Sequence, residues 1–327
     1  MGGIVVIFNP HARRNSKHPG RAARLSEILG DAGEVIVTEK LDEMAASCAE
    51  LVDRDVDLIG ICGGDGTNHL VLTCLLDLYR RAGRELPPLA LLKGGSMNTI
   101  RYSLGLQANA AKNLAQLVRA WRAGEPWPLQ ERSVLRVNEH YGFFYGNGYA
   151  VNFLEEYYNS HFESGPRRAA EITYKAIGAV VTRNEMFQRL ARRIEAEIVV
   201  DGRPLAFASL GMTLLGTIEY IGLGFKPLYR AQESPDHFHA VLTGLTPTDI
   251  LAQIYRFFTG KPMEGEHHFD GLAREVSIRG NAPIAYTLDG EMYSAPTVHI
   301  SLGPRLRIVA VDAKKSPPRK FPVDLLT

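Results

Sequence analysis

Ile59-Gly60-Ile61-Cys62-Gly63-Gly64-Asp65-Gly66-Thr67-Asn68-His69-Leu70 is the stretch that decides the fold. Val56 to Cys62 is an apolar run that reads as a buried strand, and Thr67 to Arg81 carries apolar residues at helical spacing. Between them Gly63-Gly64-Asp65-Gly66-Thr67 forms a glycine-rich loop. Glycine lets a backbone approach a ligand closely. The unpaired N–H groups at a helix start suit phosphate. The loop is not of the Walker type, because the chain has no G-x-x-x-x-G-K-[ST]. Asp65 beside phosphates is repulsive unless a magnesium ion bridges the two or the carboxylate takes a proton from an attacking hydroxyl. The bland alternative is a strand-to-helix turn in which Asp65 merely caps the helix.

A second loop, Lys93-Gly94-Gly95-Ser96-Met97-Asn98, follows the apolar run Leu89 to Leu92. Lys93 can offset phosphate charge, and Ser96 or Asn98 can donate hydrogen bonds. A third segment, Asn9-Pro10 with Arg13, Arg14 and Lys17, leaves the strand Ile4 to Phe8. Around these, helices are expected at Arg21 to Leu29 and Leu41 to Val52, with a strand at Val35 to Val37. Alternating strands and helices with short loops argue for a parallel sheet. Ligands on such sheets bind at the carboxyl ends of the strands, where all three loops emerge.

The pattern changes after a helix at Ala108 to Ala123 and the boundary Gly124-Glu125-Pro126-Trp127-Pro128. Strands are expected at Val134 to Asn138 and Tyr141 to Tyr145 as a hairpin. Ile194 to Val200 and Leu205 to Leu210 flank the turn signal Asp201-Gly202. Further strands are expected at Phe238 to Thr243, Glu275 to Arg279, Ile284 to Leu288, Val298 to Ser301 and Leu306 to Val311. Helical insertions are expected around Arg168 to Arg193 and from an N-cap at Thr248 to Gly260. The expected architecture is a Rossmann-like α/β domain at 1–126 and an antiparallel β-sandwich domain at 127–312. A tail at 313–327 is expected to pack back on the first domain.

The 327 residues suffice for two domains, and 45% hydrophobic with 22% charged residues is ordinary globular composition. A net charge of +1 gives no global attraction to nucleic acid. Cys48, Cys62 and Cys74 lie in apolar settings without metal spacing and read as reduced core thiols of a cytoplasmic protein. No stretch is long and apolar enough to span a bilayer, so work on a membrane would be peripheral. A homodimer is left open.

With these motifs in order, the chain resembles the diacylglycerol kinase catalytic superfamily, which includes bacterial lipid kinases and sphingosine kinases. Gly63 to Thr67 matches its G-G-D-G-T loop. Gly95-Ser96-Met97-Asn98 is similar to its G-T-x-N loop, and Asn9-Pro10 to the start of its N-P-x-S-G motif. Thr38 resembles the family threonine near the nucleotide, and Asp289-Gly290-Glu291 matches the family D-G-E. The resemblance implies ATP- and Mg²⁺-dependent phosphoryl transfer to a lipid hydroxyl at an interdomain cleft. It assigns nucleotide contacts to Asn9, Pro10, Arg13, Thr38, Gly63, Gly64, Asp65, Gly66, Thr67, Lys93, Gly95, Ser96 and Asn98. It assigns catalysis and metal binding to Asp65, Asp289 and Glu291. Leu70 stands where the family usually has glutamate, and Thr99 stands where an aspartate often follows the loop asparagine. NAD kinases share the G-G-D-G-T loop, and a non-catalytic nucleotide- or lipid-binding protein would tolerate the missing carboxylates; both stand as alternatives.

Three constellations remain. Basic residues from Arg167 to Arg193 are interleaved with apolar ones, as on a helix touching anionic lipid or on a solvated domain helix. Asp236, His237, His239, His267, His268 and Asp270 have no standard metal spacing and read as chance neighbours. The aromatics Tyr157, Tyr158, Tyr220, Tyr255 and Phe257 read mainly as core.

Overall fold

The computed structural model describes residues 2–95, 98–159, 165–222 and 224–311. The chain divides into two compact units, one built from residues 2–132 and 304–311 and the other from Ser133–Gly303. The tail expected at 313–327 lies outside the described residues.

The first unit alternates as its sequence pattern requires. Its elements are β1 (Ile4–Phe8), α1 (Arg13–Ser16), α2 (Arg21–Leu29), β2 (Gly33–Val37), α3 (Leu41–Asp53), β3 (Leu58–Gly63), α4 (Asp65–Ala82), β4 (Leu89–Lys93), α5 (Thr99–Ser103) and α6 (Ala110–Arg122). The strands run parallel in the order β2-β1-β3-β4. The end of the chain's last described strand adds beyond β4, pairing Ile308 with Leu89. Strands β1, β3 and most of β4 are buried without interruption, which explains their unbroken apolar runs. Ile4, Val6 and Phe8 pack with Leu25 and Leu29 of α2 and Leu114, Leu117 and Val118 of α6. Val5 and Ile7 point the other way, as the two-residue period of a strand demands, toward the side of α3 and α4.

The strand order reverses between β1 and β3, because the chain leaves β1 toward β2 and returns on its other side. That reversal opens a crevice at the carboxyl ends of these two strands. Asn9 and Gly63 lie there, with the Asn9 N–H donating to the Cys62 carbonyl at 3.2 Å.

The second unit is antiparallel. It contains β5 (Leu129–Val137), β6 (His140–Gly142), β7 (Phe144–Gly148), α7 (Tyr149–Tyr158), α8 (Pro166–Thr182), α9 (Glu185–Leu190), β8 (Ile194–Val200), β9 (Arg203–Pro204), β10 (Ser209–Leu210) and β11 (Met212–Gly216). There follow β12 (Phe238–Thr243), α10 (Pro247–Ala252), α11 (Ile254–Thr259), β13 (His268–Ala273), β14 (Glu275–Leu288) and β15 (Glu291–Val309). The first residues of β5 and the last of β15 belong to the first unit. Strands run β13-β12-β11-β7-β14-β15, and β8 also pairs with β14. One core gathers Tyr145, Ile198, Leu215, Phe238, Ile278 and Ile300. A second forms around Leu214, Leu228, Val241 and Phe257.

Several expected elements differ. The two strands read at Glu275 to Arg279 and Ile284 to Leu288 are one strand, irregular between those runs and pairing with β8 on one side of the break and β7 on the other. Val298 to Ser301 and Leu306 to Val309 are likewise parts of one strand, β15, which ends two residues short of the expected Val311. The hairpin β5–β6 forms, with Leu135 opposite Gly142. Residues from Phe144 onward pair instead with β11 and β14. Thr246, not Thr248, caps the helix that begins at Pro247, in a capping box with Asp249. Helix α7 and strands β11 and β13 were not anticipated, because their short apolar stretches lack distinct punctuation.

Asp201-Gly202 does make the tight turn between β8 and β9, both residues with positive φ (46° and 75°). The Asp201 carboxylate also accepts the Arg274 and Glu275 N–H groups, each at 2.9 Å. Asp201→Ala removes the oxygen that accepts both N–H groups and places a Cβ without local hydrogen bonding in left-handed backbone. The expected cost is about 1–2 kcal/mol, read as a lower urea midpoint with an unchanged slope.

Candidate functional site

The candidate site is assembled from backbone first. Helix α4 begins at Asp65 with Gly64 as N-cap, and no side chain caps it. The N–H groups of its first turn are therefore available to an anion at the β1/β3 crevice. The loop after β4 lies directly against this start. The Gly94 N–H donates to the Gly63 carbonyl at 2.9 Å, and the Arg14 N–H to the Gly94 carbonyl at 2.9 Å.

The glycines are needed mostly for this loop-on-loop packing. A Cβ on Gly95 would stand 2.4 Å from the Gly64 Cα, and one on Gly94 would stand 2.8 Å from the Gly63 Cα. A Cβ on Gly63 would stand 2.3 Å from the Thr67 Cβ. Gly64 alone of these has room, its nearest atom being 3.4 Å away. The contact between the loops thus explains Gly94 and Gly95, and packing against Thr67 explains Gly63.

Asp65 ties the two loops together. Its carboxylate accepts the Thr99 N–H at 2.8 Å and the Ile100 N–H at 3.3 Å. It therefore caps α5, the helix of the second loop, and not its own helix as the bland reading had it. Thr99, the departure from the family aspartate, is one of these donors. Burial pushes the Asp65 carboxyl above the ordinary carboxylate range, against the two N–H groups and the nearby Arg101 charge, which favour the anion. Asn98 precedes α5 in left-handed backbone (φ 51°), and its amide donates to the Gly95 carbonyl at 2.7 Å.

The opening segment joins the same crevice. The Asn9 amide donates to Thr67 Oγ1 at 2.9 Å, and its carbonyl oxygen Oδ1 accepts the His11 N–H at 2.8 Å. Thr38 is buried at the end of β2, its N–H donating to the Phe8 carbonyl at 2.9 Å. Pro10, Arg13 and Lys93 are half-buried around the rim. Ser96 lies outside the described residues.

Three residues of this region have no distinct sequence signal. Asn15, buried, donates to the Asn9 carbonyl at 2.7 Å and the Cys62 carbonyl at 3.1 Å. Arg21 donates to the Lys93 carbonyl. Arg101 is 1% exposed and donates to the carbonyls of Leu91, Leu106 and Ala108. Burial lowers its pKa to about 10. A charged residue inside a five-residue helix gives no sign of burial in the sequence, yet here it closes the loop after α5.

In the second unit, Asp289 and Gly290 make the two-residue turn between β14 and β15, with φ of 53° and 97°. The Asp289 carboxylate is buried and accepts the Phe143 N–H at 3.0 Å and the Phe144 N–H at 2.9 Å. Two residues on, burial pushes the half-buried Glu291 carboxyl above its ordinary range. Elsewhere in this unit, buried His239 meets Asp270 at 2.7 Å, and the Tyr229 hydroxyl donates to the same oxygen at 3.1 Å. Among the described residues no group of three or more His, Cys, Asp or Glu could by itself hold a metal ion. Among them, too, no helix is long and apolar enough to cross a membrane.

Residues 3–123 match the family model described as the diacylglycerol kinase catalytic domain. No curated protein matches the chain. Among solved structures, a diacylglycerol kinase from Bacillus anthracis str. Sterne is similar at 16% identity and TM-score 0.64, covering 94% of this chain and 96% of that one. Two further chains from that organism are similar at 18% and 19% identity, each with TM-score 0.66 and 94% of this chain covered; the matches cover 96% and 94% of those chains.

Gly95→Ala is expected to lower stability by about 1–3 kcal/mol through overpacking, seen as a lower melting temperature. Gly64→Ala should leave it within about 0.5 kcal/mol. The raised Asp65 carboxyl means folding favours its protonated form. Its contribution to stability is therefore present at acid pH and is lost as pH rises through the raised value. Asp65→Asn should flatten that part of a stability-versus-pH curve. The first unit thus matches the diacylglycerol kinase catalytic domain, and the fold of the whole chain is that of the bacterial structures it resembles.

Proposed function

We propose that this protein transfers the terminal phosphoryl group of ATP to a hydroxyl group of a lipid, of the diacylglycerol or sphingoid type. The observation that carries the reading is the union of two glycine loops at the β1/β3 reversal, beside an uncapped helix start, in a domain that matches a kinase catalytic family. ATP phosphates are held on the Gly63–Thr67 loop and on Lys93, Gly95, Ser96 and Asn98, with Asn9, Pro10, Arg13 and Thr38 at the edge. Catalysis of this kind is mainly positioning and electrostatic stabilisation.

Asp65, Asp289 and Glu291 are the acidic groups proposed for proton acceptance and metal binding. Magnesium is commonly held by one or two carboxylates together with substrate phosphates rather than by an all-protein cage. A carboxylate offers about four lone-pair sites. Asp65, engaged by two N–H groups, keeps capacity for such an ion, which fits the hard-oxygen chemistry. Bound there, the ion would neutralise charge on the transferring group. The Asp65 carboxylate would meanwhile keep α5 and its loop in place.

A lipid acceptor implies work at a membrane surface. Helix α8 exposes Tyr174 and Val181 beside Lys175, a composition compatible with that setting. A second reading, a non-catalytic nucleotide or lipid binder, is favoured by the engagement of Asp65 and Asp289 with backbone N–H groups and by Leu70 and Thr99.

The deciding experiment is ATP phosphoryl transfer to mixed micelles of diacylglycerol, monoacylglycerol, phosphatidylglycerol, ceramide or sphingoid base, with and without Mg²⁺. NAD is included as a soluble acceptor. The expected result is Mg²⁺-dependent labelling of one lipid, reduced about 100-fold or more by Asp65→Asn or Asp289→Asn. ATP binding without transfer to any acceptor would establish the second reading, and labelling of NAD would replace the lipid.

A further inference from the structure

One unbroken stretch of the second unit, from Phe143 through β7 and α7 to Tyr158, holds the Asp289-Gly290 turn with both of its ends. At the start of the stretch, the Phe144 carbonyl accepts the Asp289 N–H at 2.9 Å, and the N–H groups of Phe143 and Phe144 hold the Asp289 carboxylate. Just before it, a Cβ on Gly142 would stand 2.8 Å from Asp289 Oδ2, so the carboxylate fills the space a side chain would take. At the end of the stretch, the Tyr158 hydroxyl donates to the Gly290 carbonyl at 3.0 Å. We propose that Tyr158 is a positioning residue for this acidic turn, its hydroxyl fixing the backbone from which Glu291 projects; its part in catalysis rests on the phosphoryl-transfer reading above.

The need for such a contact follows from Glu291 itself. The residue is half-buried, and among the described residues its carboxylate makes no hydrogen bond or ion pair. Its direction is therefore set by its backbone and by packing. The Gly290 carbonyl belongs to the planar peptide unit that leads into Glu291. Gly290 itself, with φ of 97° and no side chain, is the softest point of the turn. A donor on its oxygen restrains the half of the turn that the Asp289 bonds leave to glycine.

Tyr158 can serve as a fixed point because α7 is itself held. The Tyr149 N–H donates to the Gly211 carbonyl at 2.8 Å. The Asn152 amide donates to the carbonyls of Leu190 and Arg192, each at 2.9 Å, and Glu156 pairs with Arg189 at 2.5 Å. The Tyr157 ring meets the Tyr158 ring edge-on, with centroids 5.2 Å apart, and the Tyr157 hydroxyl accepts the Gly165 N–H at 2.7 Å. Two adjacent tyrosines thus place one hydroxyl on the acidic turn and the other at the start of α8. Tyr158 is 53% exposed, so loss of its hydroxyl leaves the core untouched.

The test compares Tyr158→Phe with Tyr157→Phe in the full chain, each variant losing one hydroxyl and keeping its ring. It reads melting temperature, amide hydrogen exchange across residues 289–292, and steady-state phosphoryl transfer to the lipid that the micelle panel labels. In Tyr158→Phe, exchange is expected to quicken about tenfold and kcat to fall about tenfold. KM for ATP should stay within about twofold, and the melting temperature should drop by no more than about 4 °C. Tyr157→Phe is expected to leave both exchange and kcat as in the unaltered protein. Unchanged exchange in Tyr158→Phe overturns the proposal, as does faster exchange with unchanged kcat, or an equal loss of kcat in both variants. If the unaltered protein labels no acceptor, the proposed function fails, and the exchange measurement by itself still decides whether Tyr158 fixes the turn.

Discussion

The arrangement of the first unit's loops depends on one carboxylate. Asp65 belongs to the start of α4, but it satisfies the backbone N–H groups of Thr99 and Ile100 at the start of α5. Each such hydrogen bond contributes about 0.5–1.5 kcal/mol net. A five-residue helix has no stability of its own, so its position is set by what holds its ends. Asp65 holds one end. Arg101, reaching the carbonyls of Leu91, Leu106 and Ala108, holds the body against the strand it left. The second glycine loop is thereby suspended between β4 and α5 in fixed contact with the first.

The same device recurs in the second unit. Asp289 sits in left-handed backbone at a tight turn and accepts the N–H groups of Phe143 and Phe144. In both places an acidic residue proposed for chemistry also organises backbone. The two roles are compatible, since a carboxylate accepting two hydrogen bonds keeps further lone pairs. They also mean that replacing either residue tests structure and chemistry together. A pH profile and a melting curve therefore belong beside any activity measurement.

Much of the architecture was legible from residue order. The buried parallel strands announced themselves as apolar runs, the helices by spacing, and Asp201-Gly202 and Asp289-Gly290 as turns. The division of β14 into two strands has a plain cause. Gly280-Asn281-Ala282-Pro283 looks like punctuation, but it sits within a long strand whose halves pair with different neighbours. Whether a glycine or proline interrupts a strand depends on what lies across it, and local composition does not carry that information. At the crevice, Asn9, Gly63 to Thr67 and Asn98 were visible because glycine runs and an Asn-Pro pair after apolar strands stand out in the chain. Asn15 and Arg101 were not, because their importance comes from carbonyl groups that converge only after folding.

By itself, the sequence determined that a strand, a loop and a helix would follow one another three times near one edge of a sheet, two of the loops being rich in glycine. Strand and helix periods and the backbone freedom of glycine are local properties, readable residue by residue. Only the tertiary structure decided what the glycines are for. It set Gly95 against Gly64, turned the Asp65 carboxylate toward the neighbouring helix, and drew Arg101 into the interior. Those outcomes depend on which segments become neighbours across the sheet, and the burial of many distant side chains at once settles that choice.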